Sequence, residues 1–140
     1  NFVTLVIYAF QDFFVFRNGI VADTLRKAGM PHKVIFGLQI PQIAAIAKAL
    51  TPSSELAEAL WNDSEVRESR ILATYLFPVD EMSLEKAIWL LGSVRTQEES
   101  DMLAFRLLKR LHFASEILKE AEKDPEIPEY AVASLRNHLS

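Results

Sequence analysis

"ESRILATYLF" at residues 68–77 and "ESDMLAFRLL" at residues 99–108 decide the fold. The two stretches align at an offset of 31 residues and share Glu, Ser, a large apolar residue, Leu-Ala and a later Leu. Each is preceded by another amphipathic stretch. A weaker third copy, "EYAVASLRNH" at 129–138, keeps Glu129, Val132 and Arg136 at an offset of 30. Periods of this size with one helical hairpin per unit signify an α-solenoid, because a lone hairpin cannot bury its apolar face and must stack on the next. The expected fold is therefore all-α: antiparallel helix pairs stacked in one domain over residues 1–140, with about eight helices.

The punctuation outside the repeat agrees. "GIVADTLRKAG" keeps Ile20, Val21, Leu25 and Ala28 at helical spacing and stops at Gly29. "MPHKVIFGLQI" reads as a connector, and Pro41 opens "PQIAAIAKAL" with Ile43, Ile46, Ala47 and Leu50 on one face. Thr51 and Pro52 end that helix and lead into "SELAEALW"; Asn62 or Asp63 is the expected cap of "SEVRESRILATYLF", which Pro78 stops. Ser83 caps "SLEKAIWLLGSV", a helix runs from Thr96 to Leu111, "ASEILKEAEK" follows, and the last helix begins near Pro128. The opening "NFVTLVIYAFQDFFVF" reads as strand by propensity alone. Its helical surroundings make it a buried first helix. It is broken by Gln11 and Asp12 and falls short of the roughly 20 residues of a membrane span, so no membrane partner is expected.

Composition narrows the function. A chain of 140 residues buries about 68% of its unfolded surface, enough for a real core. The absence of cysteine excludes disulfides, thiolate metal sites and a cysteine nucleophile, and it fits a reducing compartment, the cytoplasm. His32, His112 and His138 lack ligand spacing and the four glycines are scattered, so neither a metal, a phosphate-cradling loop nor a cofactor is expected. The net charge is −4, the wrong sign for a chain held to nucleic acid by bulk charge. Residues 1–50 nonetheless carry five bases against two acids, while residues 51–140 carry ten against seventeen. Within the basic third, Arg17, Arg26, Lys27 and Lys33 are the candidate nucleic-acid contacts.

"RNGIVADTLRKAGMPHKVIFGLQIPQIAAIAKAL", "LAEALWNDSEVRESRILATYLFP" and "TQEESDMLAFRLLKRL" together resemble the DNA alkylation repair family. The likeness covers most of residues 17–112 and rests on the Phe36-Gly37 to Pro41 connector, Leu60-Trp61 at a helix end, and Glu68 with Arg70 before an apolar run. It implies a HEAT-like repeat fold and, for catalytic members, a DNA glycosylase that releases alkylated purines. In those members an acidic helix start reads Trp-Asp-x-x-Asp: the aromatic face touches the damaged nucleotide and the final Asp steadies the positive charge developing on the sugar. Here that stretch is Gln97-Glu98-Glu99-Ser100-Asp101, so Asp101 is the candidate catalytic residue and Gln97 stands where the Trp would be. A further Arg and Trp of such enzymes have no recognisable equivalents in this sequence. The resemblance thus leans against an enzyme and toward a non-catalytic binding module whose partner is DNA, held weakly and salt-sensitively, or another protein.

Asp101 also has a structural reading. Thr96 followed by Glu99 fits a capping box, and Glu98, Glu99 and Asp101 lie near a helix start, where negative charge is favoured by roughly 0.3 to 1 kcal/mol each. The centre of the apolar stripe falls near Ala104, Leu107, Leu108 and Leu111, with Asp101 about 80° away at its boundary. The offset of 31 sets Asp101 at the position of Arg70 in the preceding copy, which predicts an ion pair between neighbouring repeats. Arg106, Lys109, Arg110 and His112 read as a solvated basic helix end, and Trp61 and Trp89 as core residues.

Overall fold

Short polar side chains start most of the helices where the sequence places them. In the computed structural model, which describes residues 1–140, Asn1 opens α1 (Phe2–Val15) and Asn18 opens α2 (Gly19–Lys27) by accepting backbone amides. A reciprocal pair, Gln39 and Gln42, opens α3 (Ile40–Lys48), and Ser53 opens α4 (Ser54–Asn62). The next helix, α5 (Arg67–Leu76), ends at Phe77, before Pro78. Ser83 caps α6 (Leu84–Gly92) and Thr96 caps α7 (Gln97–Arg106); α8 (Ala114–Lys123) and α9 (Glu129–Leu139) complete the chain. There are nine α-helices, where the sequence led us to expect about eight, two short 3-10 turns at Val79–Glu81 and Leu108–Arg110, and no sheet.

The chain forms two compact units, Asn1–Phe77 and Pro78–Ser140. Within the first, α4 pairs with α5, α1 lies against α4, and α3 lies against α5. Within the second, α8 pairs with α9, α6 lies against α8, and α7 lies against α9. Each unit is thus two layers deep, one layer holding the first helices of the hairpins and the other the second helices. This is the packing of an α-solenoid, and the fold class is the one the repeat implies. The cores follow the apolar stripes: Ile43, Leu56, Leu60, Trp61, Ile71 and Leu72 are buried in the first unit, and Leu90, Leu103, Ala104, Leu108, Ile117 and Leu135 in the second.

Four expectations are corrected. Neither Asn62 nor Asp63 caps α5; Asp63 closes α4 instead, and α5 begins at Arg67 without a side-chain cap. The reason is a backbone exchange: the Val34 amide donates to the Glu65 carbonyl, and the Arg67 amide, which a cap would have satisfied, donates to the Val34 carbonyl. The helix expected to run to Leu111 ends at Arg106, because Leu107 leaves helical geometry at φ −125° and ψ −65° and a 3-10 turn follows. Trp89 is 42% exposed, unlike fully buried Trp61. The first helix is a helix but not a buried one: only Ala9 and Phe13 are enclosed, because α4 covers one side alone.

A long-range hydrogen-bonded tie in the first unit comes from α5. The Glu68 carboxylate accepts the backbone amides of Phe36 (3.0 Å), Gly37 (3.0 Å) and Leu38 (3.3 Å). Arg67 donates to the same carboxylate at 2.8 Å and to the Leu38 carbonyl at 2.7 Å. Both side chains are buried, at 4% and 0% exposure. Gly37 sits at φ +90°, and a Cβ there would lie 2.1 Å from the Asn18 carbonyl oxygen, so the segment tolerates only glycine at this point.

Removing Glu68 leaves three amides and a buried guanidinium without their shared acceptor. Glu68→Ala is expected to cost roughly 3 to 5 kcal/mol, read as a lower urea midpoint. Gly37→Ala, which adds strain and a clash, should also lower the midpoint, whereas exposed Lys48→Ala should shift it by less than about 0.5 kcal/mol.

Candidate functional site

The start of α7 is built by local bonding. Thr96 Oγ accepts the Glu99 amide at 3.0 Å, Ser100 Oγ donates to the Thr96 carbonyl at 3.2 Å, and Glu99 Oε1 accepts the Arg95 amide at 2.8 Å. This is the expected capping box displaced by one residue: the Glu reaches back past the cap to the amide before it. Glu99 is 1% exposed and Ser100 fully buried. Burial and, after it, the Glu99 carboxylate push the Tyr130 phenol on α9 up from its ordinary value.

Asp101 stands one turn further along, half-buried, and its carboxylate is engaged. Ser134 Oγ, on α9, donates to Asp101 Oδ1 at 2.7 Å. Gln97 Nε2 donates to Ser134 Oγ at 2.8 Å and lies 3.4 Å from Asp101 Oδ1. The three side chains close a small polar triangle between α7 and α9, and Ser134 is 1% exposed. Arg70, its counterpart in the repeat, places its guanidinium 4.1 Å from the centre of the Trp61 ring in the first unit.

The basic candidates divide by position. Arg26 and Lys27 close α2, and Lys33 follows in the connector; all three are exposed. Arg26 donates to the carbonyls of His32 (3.0 Å) and Lys33 (3.1 Å), which draws these residues to one end of the helix. Arg17 precedes α2 and so belongs to its other end, about 13 Å away along nine helical residues. It is held there by its hydrogen bond to the Phe14 carbonyl (2.8 Å) and its position 3.8 Å over the Phe14 ring. The four residues are therefore a cluster of three plus one outlier.

At the far end of α7, Lys109 lies over the Phe105 ring at 4.1 Å, and Arg110 donates to the Arg106 carbonyl. Lys109 and Arg110 lie on the 3-10 turn that follows, so of the basic residues expected at the helix end only Arg106 stands in the last turn of α7. No three His, Cys, Asp or Glu side chains gather as a metal site. No single helix is long and apolar enough to cross a membrane. Two residues important to the geometry escaped the sequence reading. Ser134 carried one signal, its place one turn beyond Ala131 in the third repeat copy; Arg67 carried none, because its acceptor lies 29 residues away in the chain.

Comparison with known proteins adds one finding. No curated protein and no solved structure matches the chain, but the family model described as DNA alkylation repair enzyme matches residues 17–126. The match begins at Arg17, takes in the Glu68 connector and, of the triangle, Gln97 and Asp101 but not Ser134, and spans 110 of the 140 residues. The chain belongs to the DNA alkylation repair enzyme family.

Proposed function

We propose that the chain is a non-catalytic binding member of its family, with DNA as the partner, contacted through Arg26, Lys27 and Lys33 and, at the other end of α2, Arg17. The observation that carries the non-catalytic half is the Gln97–Asp101–Ser134 triangle. A residue that steadies a developing sugar cation needs a carboxylate facing that charge beside an aromatic surface. Here Gln97 offers no ring, and its amide is turned to Ser134 and Asp101. The DNA half is supported by family membership and by the excess of bases in residues 1–50. Few cations and a net charge of −4 make such binding weak, and counterion release makes it fall steeply with salt.

A second reading keeps a glycosylase for alkylated purines, with Asp101 stabilising the sugar cation. It is favoured by the half-exposure of Asp101 and by the engagement of Oδ1 rather than of both oxygens. Incubation with DNA carrying N3- or N7-methylpurines decides between the two. No base release above background is expected; turnover that disappears in Asp101→Asn would establish the enzyme instead.

Two further outcomes follow. In filter binding at low salt, Arg26→Glu with Lys27→Glu is expected to weaken DNA binding at least tenfold and to flatten its salt dependence by about two units of slope. Lys109→Glu with Arg110→Glu should have a much smaller effect, and the reverse order would overturn the assignment. In a double-mutant cycle, Asp101→Ala and Ser134→Ala should each destabilise, and the double variant should lose less than their sum by about 0.5 to 1.5 kcal/mol. Strict additivity would mean the bond contributes nothing to stability.

A further inference from the structure

The outer face of α1 is apolar and open. At 100° per residue, Val3, Ile7, Phe14, Val15 and Tyr8 fall on one arc opposite buried Ala9 and Phe13, interrupted only by Thr4 and Gln11. These five side chains are 52 to 67% exposed. A helix that is apolar all round is ordinarily enclosed, and α4 covers one side only. Beside the exposed ridge runs an open, mostly apolar groove of about 710 Å³, lined by Val6, Ile7, Phe10, Phe14 and Val15 together with Gln11 and Asp63.

We infer that this face is the dimer interface of the protein, with α1 of a second copy laid antiparallel along the ridge and into the groove. Three observations select that occupant. The first is area: a half-exposed side chain of this kind presents about 100 Å², so the five residues with their flanking Thr4, Val6, Phe10 and Gln11 approach the roughly 600 Å² per partner at which specific interfaces begin. The second is charge. The ridge itself carries none, Asp63 lines the groove beside it, and antiparallel pairing holds the two Arg17 guanidiniums, fixed at the C-terminal end of each ridge, on the order of 20 Å apart. A two-fold contact of this kind therefore keeps the two Arg17 side chains apart. The third is shape, since a groove beside a ridge on the same helix is what an isologous contact requires: each copy supplies what the other accepts.

A lipid surface fits less well. Helices that lie in a membrane interface set their apolar face against a face rich in Lys and Arg. The α1 helix contains neither residue, and Asp12 and Asp63 flank it.

Sedimentation velocity of the full chain across a dilution series tests the inference. The expected result is a concentration-dependent species of twice 15.9 kDa, with a dissociation constant on the order of micromolar. Ile7→Glu is expected to weaken association at least tenfold while keeping the helical circular dichroism. Because the chain has no cysteine, Ile7→Cys offers an independent readout that does not depend on tolerating a charge. Under mild oxidation it should cross-link to a dimer, while a control cysteine at exposed Lys119 should not. A monomer at about 100 μM overturns the inference, as does a dimer indifferent to Ile7→Glu, failure of Ile7→Cys to cross-link, or flotation of a monomer with anionic vesicles in place of dimerisation.

Discussion

A carboxylate with no water around it must find all its donors in the protein, and Glu68 finds four: three consecutive backbone amides and the Arg67 guanidinium. Much of the first unit is arranged by that requirement. The amides of residues 36–38 converge on one point because the segment is extended up to Val34 and turns at Gly37. It can turn there because Gly37 lacks the Cβ that would strike Asn18. Asn18 in turn caps α2 and donates its own amide to the Phe36 carbonyl. One buried anion thus links the start of α2, the connector to α3 and the first turn of α5. A buried ion pair is weak evidence for net stability, since desolvation opposes the attraction. Its effect here is to fix the position of residues 36–38, whose three amides all point to the same carboxylate.

The second unit repeats the residues and adds local bonds around them. Glu99 and Ser100 stand 31 positions after Glu68 and Ser69, and all four are buried. Ser69 donates to the Leu60 carbonyl at the end of the preceding helix, and Ser100 donates to the Thr96 carbonyl four residues back. Glu68 collects amides about 31 residues away; Glu99 collects the Arg95 amide within its own turn. The capping differs as well: Thr96 satisfies α7 from its side chain, while α5 has no side-chain cap and relies on backbone pairing with Val34. A repeat can keep its side chains and still change what they hold when the connection before it changes.

This contrast explains what could be read from the sequence. Features set within one or two turns were legible: the caps at Ser83 and Thr96, the stop before Pro78, and the burial of Ala104, Leu107, Leu108 and Leu111, although the helix expected to align those four ends at Arg106. Features set by a distant partner were not. The true start of α5 depends on a backbone exchange with residue 34, and the role of Arg67 on a carbonyl 29 residues away. Periodicity marks which face of a helix is apolar and is silent on whether anything covers it. That is why Trp89 and the outer side of α1 were read as core and are exposed. For the candidate site, the sequence singled out Asp101 but not Ser134, because a serine in an apolar helix reads as filler until its neighbour is known.

On the proposed reading, glutamine in place of an aromatic residue at position 97 changes the meaning of the Asp101 carboxylate. In the arrangement the family resemblance implies for catalytic members, an aromatic side chain four residues before the Asp leaves the carboxylate facing a substrate and competes for none of its lone pairs. Glutamine at that place has the same helical reach but carries donors, and its amide lies 2.8 Å from Ser134 Oγ and 3.4 Å from Asp101 Oδ1. The Ser134 hydroxyl donates a hydrogen bond to the same oxygen at 2.7 Å. Hydrogen bonds to an ionised acceptor are roughly twice as strong as neutral ones, so the pair draws α7 and α9 together. On the proposed reading, the residues that no longer serve chemistry hold the two second-layer helices in register. The acidic start of α7 is then kept for the packing of the repeat it begins.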